Sequence, residues 1–436
     1  MESQSTINRR GFTKQTLALS SALAAGPSLS ALGANEKIGL GFIGLGGRGQ
    51  HHFRQFLEFS DVNIVSLCDV DQENINACKE RLGGAVHTTQ HFEDVLNNPD
   101  VDAVVISTSD HWHAIPAILA MQAGKDVYVE KPLGHTVEEQ QRMIEAVKKT
   151  GRVLQVGLQQ RSAKQFQQAV EWVKSGEVGA VTSVECINMW NVDSYLNQPP
   201  LQPEIQDDEE TPPTVDYERF LGPAPKHRFN RSRFRGSFYF HTDYAGGMLT
   251  GWGVHLFDIV AWAMGHEMNS VTAIGGVYYF NDMRDTPDTA DCLFDCPGYT
   301  FKYSMRHANG FPHDPELSGI DHGVYFYGSK GTVLVNRRHA KLYPENDRAN
   351  PIVVPAQDGD IEHKQNFLAC VRSRKTPVAD VYVGHYANLP GLLSLISYRL
   401  GRQIRWDSAN EKIIGDREAS RMLKKNYRKP YVLPDV

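Results

Sequence analysis

The chain has 436 residues, a formal net charge of −6, 41% hydrophobic residues and 22% charged residues. This length predicts two domains of an ordinary globular protein. The acidic balance excludes the basic face that nucleic-acid binding needs, and no apolar run reaches the roughly 18 residues of a membrane-spanning helix. Six cysteines are too few for a disulfide framework in a chain this long, and no histidine–cysteine cluster has the spacing of a metal site.

The first predicted element is an export signal at residues 1–34. Residues 8–14 contain the pair Arg9-Arg10 followed by Phe and Lys, and a mildly apolar run extends over 17–32. This pattern resembles a twin-arginine signal, which predicts transfer by the twin-arginine export machinery to the periplasm. Cleavage is expected near residues 33–34. The alternative is a basic N-terminal tail without this role.

A glycine-rich turn follows the apolar run 38–43. Its glycines, Gly44, Gly46 and Gly49, are spaced as Gly-x-Gly-x-x-Gly, and a second apolar run ends in Asp69, 20 residues beyond Gly49. A strand, three glycines and a spaced acid together are typical of a dinucleotide-binding βαβ unit, in which the pyrophosphate meets a helix N-terminus. Asp69 is expected to bind both adenosine ribose hydroxyls and to repel a 2′-phosphate, which favours NAD over NADP. An ordinary βα turn is the alternative.

From residue 37 to about 156, strand-like runs alternate with helical patterns. The expected strands are 38–43, 62–68, 102–107, 126–130 and 152–156. The expected helices are 48–58, 71–82, 91–97, 114–123 and 136–149. This alternation predicts an α/β Rossmann domain with a parallel sheet over 35–156, with ligands at the carboxyl ends of the strands.

Two segments leave this sheet at its carboxyl edge. Lys131 follows the fifth strand, where its ammonium group would hold a substrate hydroxyl and stabilise a developing alkoxide; a surface lysine is the alternative. His113 follows the preceding strand and is predicted to line the cofactor, with a structural histidine as an equal alternative. The residues expected to bind the cofactor are Gly44, Gly46, Gly47, Arg48, Gly49, Asp69, Ser107, His113, Glu130 and Lys131.

Past residue 156 the alternation stops. A helix at 163–175 and a strand at 181–190 precede a proline-rich loop at 197–225. Strand-like runs then follow one another at 271–280, 290–296, 299–306, 322–327 and 332–336, with helices near 361–373 and 384–400. Strands without intervening helices predict an α+β domain over 157–436, with a mainly antiparallel or mixed sheet.

The segment 243–258 is the densest candidate for chemistry in this second domain. Its glycines let the backbone pass close to a ligand, and His255 begins an apolar helix from which it would point into the cleft. Histidine suits removal of a proton from an alcohol while a hydride leaves its carbon; a buried, satisfied histidine is an equal alternative. The residues expected to contact substrate are Arg161, Asp243, Tyr244, Trp252 and His255.

These residues together resemble the Gfo/Idh/MocA family of sugar and polyol oxidoreductases. The match rests on the glycine turn Gly44–Gly49, the Glu130-Lys131-Pro132 triplet and the Gly246–Asp258 segment. An exported subgroup of the family is similar in three further segments, at 157–162, 220–225 and 415–419. The resemblance covers nearly everything after the signal.

The resemblance implies a Rossmann domain paired with an open-faced sheet domain. It places the family's lysine role on Lys131 and its general-base role on His255. The family usually has Asp four residues before that histidine, where this chain has Gly251. Asp243 or Asp258 would have to substitute for the missing carboxylate.

The sequence therefore predicts an exported, NAD-dependent oxidoreductase acting on a small carbohydrate, sugar derivative or polyol. Free NAD is scarce outside the cytoplasm and the twin-arginine route carries folded proteins, so the cofactor is expected to be loaded before export and retained. One alternative is redox-neutral glycoside cleavage or epimerisation by bound NAD. Another is a non-catalytic sugar-binding protein with structural NAD. A homodimer or homotetramer is expected, because an open sheet face leaves apolar surface to cover.

Overall fold

The computed structural model of the protein describes residues 37–189, 208–311 and 322–436. The predicted export signal at 1–34 lies outside these residues, as does Trp190, the last residue of one predicted strand. Part of the predicted proline-rich loop, up to residue 207, also lies outside them.

The N-terminal half is a six-stranded sheet with helices between its strands. Its strands are β1 (Ile38–Ile43), β2 (Val62–Cys68), β3 (His87–Thr89), β4 (Ala103–Ile106), β5 (Asp126–Val129) and β6 (Leu154–Val156). Its helices are α1 (Gly47–Phe56), α2 (Gln72–Leu82), α3 (Phe92–Asn97), α4 (Ala114–Gln122) and α5 (Val137–Thr150). All pairs are parallel, in the order β3-β2-β1-β4-β5-β6. This is the Rossmann strand order, so the predicted fold of this half is confirmed.

Local sequence explains several of these elements. β1, β4 and β5 are buried along their whole length, as strands covered by helices on both faces must be. Thr136 and Glu139 form the capping box that starts α5, and Gly151 ends that helix in the left-handed conformation. The short strand β3 was missed, because three half-exposed residues carry too little pattern to predict a strand.

The second half is built on a ten-stranded mixed sheet. Its strands are β7 (Val181–Met189), β8 (Ser270–Gly276), β9 (Thr289–Cys296), β10 (Tyr299–Arg306), β11 (His322–Gly328), β12 (Gly331–Val335), β13 (His339–Pro344), β14 (Ile352–Pro355), β15 (Ile404–Asp407) and β16 (Lys412–Ile413). Their order is β14-β13-β12-β11-β7-β10-β9-β8-β15-β16, and only β7 and β10 pair in parallel. The predicted mixed sheet is confirmed.

Helices cover one face of this sheet. They are α6 (Lys164–Lys174), α8 (Gly247–Gly251), α9 (Gly253–Met264), α11 (Val381–Leu400) and α12 (Arg417–Arg421). Two further helices of the second half, α7 (Tyr217–Leu221) and α10 (Asp360–Ser373), lie in other core clusters. Phe257 of α9 packs on Phe294, Phe301 and Tyr303 of the covered face. On the other face Leu293 is 55% exposed, because strand residues alternate between the two faces. Among the described residues, no helix combines the length and apolar character that a membrane span requires.

Helix α10 returns to the Rossmann domain late in the chain. Its Phe367 and Val371 lie in the same core cluster as Leu40 of β1 and Phe53 of α1. The Gln155 amide in β6 donates to the backbone carbonyl of a residue in α10, at 2.7 Å. Packing therefore crosses the boundary between the two halves and fixes how the second half faces the glycine turn.

Candidate active site

The glycine turn has the close packing that its spacing predicts. Gly44 adopts a φ of +90°, which side-chain-bearing residues rarely reach, and a Cβ there would overlap the Ser107 backbone. A Cβ on Gly49 would overlap the carbonyl of Gly44. Gly46 caps α1, and no atom lies within 4 Å of the Cβ positions of Gly46 and Gly47. The turn thus leaves room in front of a helix N-terminus, where a pyrophosphate binds.

A cavity of about 430 Å³ opens in front of this turn. This volume lies in the usual range for small-molecule sites. The Rossmann domain lines it with Gly44, Gly46, Gly47, Arg48, Asp69 and Ser107. The second half lines it with Arg219, Phe220, Phe234, Arg235, Gly236, Phe238 and Tyr239. The cofactor site is therefore closed by residues from both halves, and the second set was not predicted from the sequence.

Asp69 is held firmly at the end of β2, beside the turn. Its carboxylate accepts hydrogen bonds from the backbone N–H of Leu45 (2.5 Å) and Asp71 (2.8 Å), and from the Asn74 amide (3.2 Å). Burial raises the pKa of Asp69, and these three donors oppose that shift. A fixed carboxylate facing the cavity suits the two hydroxyls of an adenosine ribose, so the residues present fit the adenosine half of NAD.

We expect replacement of Asp69 by Ala to weaken NAD binding by roughly 1–3 kcal/mol, the range for leaving hydrogen-bond partners unpaired. The dissociation constant for NAD, measured by titration of stripped enzyme, checks this. Asp100→Ala, at an exposed loop acid of the same domain, is the matched control. An unchanged NAD affinity in Asp69→Ala would remove this carboxylate from the site.

Lys131 bridges the two halves at the carboxyl edge of β5. Its Nζ donates to the backbone carbonyl of Gly251, the last residue of α8, at 2.9 Å. Burial lowers the pKa of Lys131, while the carboxylates of Glu130 and Asp110 act to raise it. A lysine in this position reaches the second half of the molecule, which a surface lysine would not do.

Glu130 organises the charged groups beneath the turn rather than lining the cavity. Its Oε1 lies 3.0 Å from Arg48 Nε and 2.7 Å from His52 Nε2, and its Oε2 accepts from the Lys131 backbone N–H at 3.1 Å. Burial opposes ionisation of Glu130, but Arg48 and His52 hold its pKa well below the usual range. Arg48 also pairs with Asp360 of α10, at 3.2 Å. Glu130 therefore positions Arg48 and Lys131 and is not among the residues that line the cavity, so its contact with the cofactor stays a prediction.

Buried histidines make the fold sensitive to acid. Burial lowers the pKa of His52 and of His363 to about 4, and the pKa of His307 to about 3. Between those values and the ordinary 6.5, the unfolded chain binds protons that the folded chain does not, so stability falls as the pH drops from 6.5 towards 4. We expect each histidine to cost up to about 3 kcal/mol by pH 4. Melting temperatures measured from pH 8 to pH 4 check this.

The variant His307→Asn tests the assignment of this acid sensitivity. Both ring nitrogens of His307 are buried without a partner among the described residues, so its removal should flatten the fall in melting temperature below pH 6.5. His91→Asn, at a half-buried position, is the control and should follow the wild-type curve. A wild-type melting temperature that stays constant down to pH 4.5 would contradict the interpretation.

His255 lies in the first turn of α9 and is only 5% exposed. Its ring packs edge-on against Trp252, with 5.0 Å between centroids, and its Nδ1 has no hydrogen-bond partner among the described residues. Burial, with the positive charges of Arg337 and Lys131, lowers the pKa of His255 well below its ordinary value. The imidazole is therefore neutral at neutral pH and able to accept a proton.

Neither acid expected to replace the missing family carboxylate does so. Asp258 pairs with Arg161 at 2.8 Å, and Asp243 lies 2.8 Å from His227. A Cβ on Gly251 would overlap the ring and hydroxyl of Tyr239. Since Tyr239 was not singled out in the sequence, this neighbour of Gly251 is visible only in the structure.

The other predicted substrate residues separate into two groups. Trp252 lies beside His255 and also packs on His322, with 4.7 Å between centroids. Arg161 forms an ion pair with Asp258, and its guanidinium carbon lies 4.8 Å from the centre of the Trp262 ring. Trp252 therefore remains a candidate for substrate contact, whereas Arg161 already has partners within the protein.

Two residues predicted to contact ligands, Tyr244 and His113, are buried with protein partners, and their ligand contacts stay predictions. Tyr244 is fully buried against His111 and Phe220, because the loop that carries it packs inward on the Rossmann domain. His113 is 1% exposed, with Nδ1 2.7 Å from the carbonyl of Pro132 and Nε2 3.2 Å from that of Thr108. A turn of 3₁₀ helix at 110–112 rotates His113 away from the cavity.

No three His, Cys, Asp or Glu side chains within 37–189, 208–311 and 322–436 are grouped as a metal site would need. The six cysteines are free and buried. Cys292 and Cys296 both lie on the covered face of β9, where burial raises the pKa of each thiol to about 12 and about 11 respectively.

A nucleotide-binding sheet whose carboxyl edge faces a second, mixed-sheet domain defines a two-domain, dinucleotide-dependent oxidoreductase. The chain belongs to the Gfo/Idh/MocA oxidoreductase family. The family's NAD-binding Rossmann model matches residues 38–158, and its C-terminal alpha/beta domain model matches residues 172–277. NAD is the dinucleotide that this Rossmann domain binds.

Known relatives cover the chain to different extents. Myo-inositol 2-dehydrogenase of Thermotoga maritima is 23% identical over 397 residues, covering 86% of this chain and 99% of that protein. A glycosyl hydrolase family 109 protein of Shewanella pealeana is 32% identical over 160 residues, covering 33% of this chain and 35% of that protein. The crystal structure of the WlbA dehydrogenase from Bordetella pertussis in complex with NADH and UDP-GlcNAcA has a TM-score of 0.63 and 20% identity, covering 85% of this chain and 99% of that one.

Proposed function

We propose that this protein transfers a hydride between NAD and a CH–OH group of a sugar, sugar derivative or polyol. The observation that carries the proposal is the contact of Lys131 Nζ with the Gly251 carbonyl, at 2.9 Å. Gly251 lies one helical turn before His255. Lys131 is partly buried, and its positive charge acts electrostatically on the neutral imidazole of His255.

The proposed roles of Lys131 and His255 follow from their charges. NAD, when bound, supplies the acceptor or donor of the hydride. Lys131 stabilises negative charge that develops on the reacting oxygen, and neutral His255 takes the hydroxyl proton. Similarity to a myo-inositol 2-dehydrogenase over nearly the whole of that protein supports a polyol or sugar as the substrate.

A segment of the second half, residues 214–235, contacts the Rossmann domain on the adenosine side of the cofactor cavity. Arg235 pairs with Asp71 at 2.9 Å and Glu73 at 3.1 Å, at the start of α2. The backbone N–H of Asp216 donates to Val70, and that of Gln72 donates to Thr214. Since these contacts must open for NAD to leave, they support a cofactor that is retained through many turnovers.

Export by the twin-arginine route is the second part of the proposal. Arg9-Arg10, followed by Phe and Lys and then by an apolar run, is the supporting feature. The test is the double variant Arg9→Lys/Arg10→Lys in the native host, with Arg81→Lys as the control. Retention of the double variant in the cytoplasm, while the control reaches the periplasm, supports export; equal distribution of both contradicts it.

The central experiment identifies the retained nucleotide and its chemistry. Purified mature protein is denatured, released nucleotide is identified, and the absorbance of NADH at 340 nm in intact enzyme is followed while sugars and inositols are added. Reduction by one sugar and re-oxidation by a second supports dehydrogenase chemistry with retained NAD. No nucleotide and no spectral response would contradict the proposal and favour a sugar-binding protein.

Redox-neutral glycoside cleavage is the second candidate. The observation that favours it is the match of a third of the chain to a glycosyl hydrolase family 109 protein. In that reaction, a substrate carbon is oxidised transiently and the hydride returns, so products form without net change in NADH. Release of a sugar from a nitrophenyl glycoside at constant NADH absorbance would support this candidate over the dehydrogenase.

We also infer that copies of this chain associate through the open face of the ten-stranded sheet. Ile274 on β8 is 72% exposed and Leu293 on β9 is 55% exposed on that face. Exposed apolar side chains grouped on one surface are typical of association sites. Sedimentation of the purified protein as a monomer at micromolar concentration would contradict this inference.

A further inference from the structure

The space where a side chain on Gly251 would lie is filled by the phenol of Tyr239. A Cβ built on Gly251 would overlap the hydroxyl oxygen and two ring carbons of Tyr239. The two residues lie on different elements, since Gly251 ends α8 and Tyr239 belongs to the 3₁₀ turn at 235–240. Only glycine at 251 lets this phenol approach the α8 backbone.

Tyr239 is also a wall of the cofactor cavity. The next residue, Phe240, is 3% exposed and anchors the turn, because its carbonyl accepts a 3.1 Å hydrogen bond from Thr286 and its ring lies under Arg284. The Tyr239 ring packs edge-on against Phe240, with 5.5 Å between centroids. The phenol is thus held in a fixed orientation while its side chain remains only half-buried on the cavity side.

Three polar groups converge at Gly251. The ammonium group of Lys131 binds its carbonyl at 2.9 Å, the hydroxyl of Tyr239 occupies its side-chain position, and His255 follows one turn later. The carboxyl group of Asp110 acts electrostatically on both Lys131 and Tyr239. A reacting oxygen held by Lys131 therefore lies within the same small region as the phenol.

We propose that Tyr239 contacts the substrate and donates a hydrogen bond from its hydroxyl to the reacting oxygen, alongside Lys131. This proposal rests on the proposed function, because it assigns a further residue to the same CH–OH centre. Tyr239 would replace the missing side chain at 251 as the third polar group of the centre.

The ionisation of the phenol decides which role it has. Burial, together with the negative charge of Asp110, raises the pKa of Tyr239 well above its usual range. The hydroxyl therefore stays protonated at neutral pH, so it donates a hydrogen bond and does not act as a base. Removal of the substrate proton is left to His255, whose imidazole is neutral.

The test is Tyr239→Phe, which removes only the hydroxyl. We expect kcat/KM to fall by about 10²-fold, the scale for losing one donor to a developing oxyanion, while the content of bound NAD stays at the wild-type level. Tyr382→Phe is the matched control, because Tyr382 lies on α11, partly exposed and against Lys148, and its kcat/KM should not change. Wild-type kcat/KM in Tyr239→Phe would overturn the proposal.

A binding measurement separates failure of this proposal from failure of the proposed function. The probe is myo-inositol, titrated into NADH-loaded enzyme while NADH fluorescence is recorded. If the NADH-loaded wild-type enzyme binds myo-inositol, but enzyme loaded with NAD⁺ oxidises neither myo-inositol nor any sugar tested, the proposed function fails, and weaker binding by Tyr239→Phe still supports the contact. Equal binding by wild type and Tyr239→Phe overturns the proposal for Tyr239. Absence of binding, together with absence of turnover on every sugar tested, also overturns it.

A second pair of variants tests the packing on which the proposal depends. In the wild-type background, Gly251→Ala should lower the melting temperature strongly, because its methyl group collides with the phenol. In the Tyr239→Ala background, which lacks the phenol, the same substitution should lower the melting temperature much less. Contacting residues give such non-additive effects. Equal losses from Gly251→Ala in both backgrounds would place the phenol elsewhere and overturn the proposal.

Discussion

Replacement of Lys131 by Met should reduce kcat/KM by about 10²- to 10⁴-fold, equivalent to roughly 3–5 kcal/mol of transition-state stabilisation. Methionine keeps most of the apolar stem of lysine and removes the ammonium group. That group is buried, reaches across to the Gly251 carbonyl at 2.9 Å and is the cation best placed to meet a developing alkoxide. Initial rates over a range of sugar concentrations measure the effect.

The control for this variant is Lys226→Met, at a lysine whose side chain is 70% exposed. Its kcat/KM should equal that of wild type. Lys131→Met should also retain bound NAD, since the glycine turn and Asp69 are untouched, which separates loss of chemistry from loss of cofactor. Wild-type turnover by Lys131→Met on the physiological substrate would remove Lys131 from the reaction.

Replacement of His255 by Asn should lower kcat by about 10²- to 10⁴-fold, the range for a positioned acid–base group. Asparagine is polar and shorter, so the fold and NAD content should persist. Because burial and nearby cations lower the pKa of His255 well below 6.5, the base is free above that pKa and protonated below it. The wild-type rate should therefore hold constant down through pH 6.5 and fall only at lower pH.

The pH dependence distinguishes a proton acceptor from a packing residue. In His255→Asn the inflection of kcat that lies below pH 6.5 in the wild type should disappear, leaving a low residual rate without that titration. His91→Asn, at a half-buried histidine in the first half of the chain, is the control and should keep the wild-type profile. A fall below pH 6.5 with the same inflection in His255→Asn as in the wild type would assign the titration to another group.

The Rossmann half was predictable because its signals are local. β1 and β2 have the predicted bounds, and the capping box at Thr136 and Glu139 starts its helix within one residue of the expected position. In the second half, β13 to β16 were missed. β14 is mostly exposed and β16 has only two residues, so neither carries the apolar alternation that predicts a strand. β13 and β15 alternate buried and more exposed residues, but over only six and four residues, which is a weak signal.

The residues of the candidate site also differ in how well the sequence predicts them. Gly44, Asp69, Lys131 and His255 stand at fixed positions relative to a strand or a helix, so the chain pattern alone finds them. Tyr239 reaches the site from a loop more than 100 residues from Lys131 in sequence, and no local pattern marks it. Whether a polar side chain turns inward, as Tyr244 and His113 do, depends on packing that sequence periodicity does not encode.

The ion pair between Arg48 and Asp360 joins residues 312 positions apart. Asp360 also pairs with Lys364, which is fully buried in α10. During synthesis, the glycine turn leaves the ribosome long before the helix that fixes its arginine. In a nascent chain, therefore, Arg48 reaches its arrangement beside the glycine turn only after residue 360 has been translated, although the N-terminal domain that carries the turn is made first.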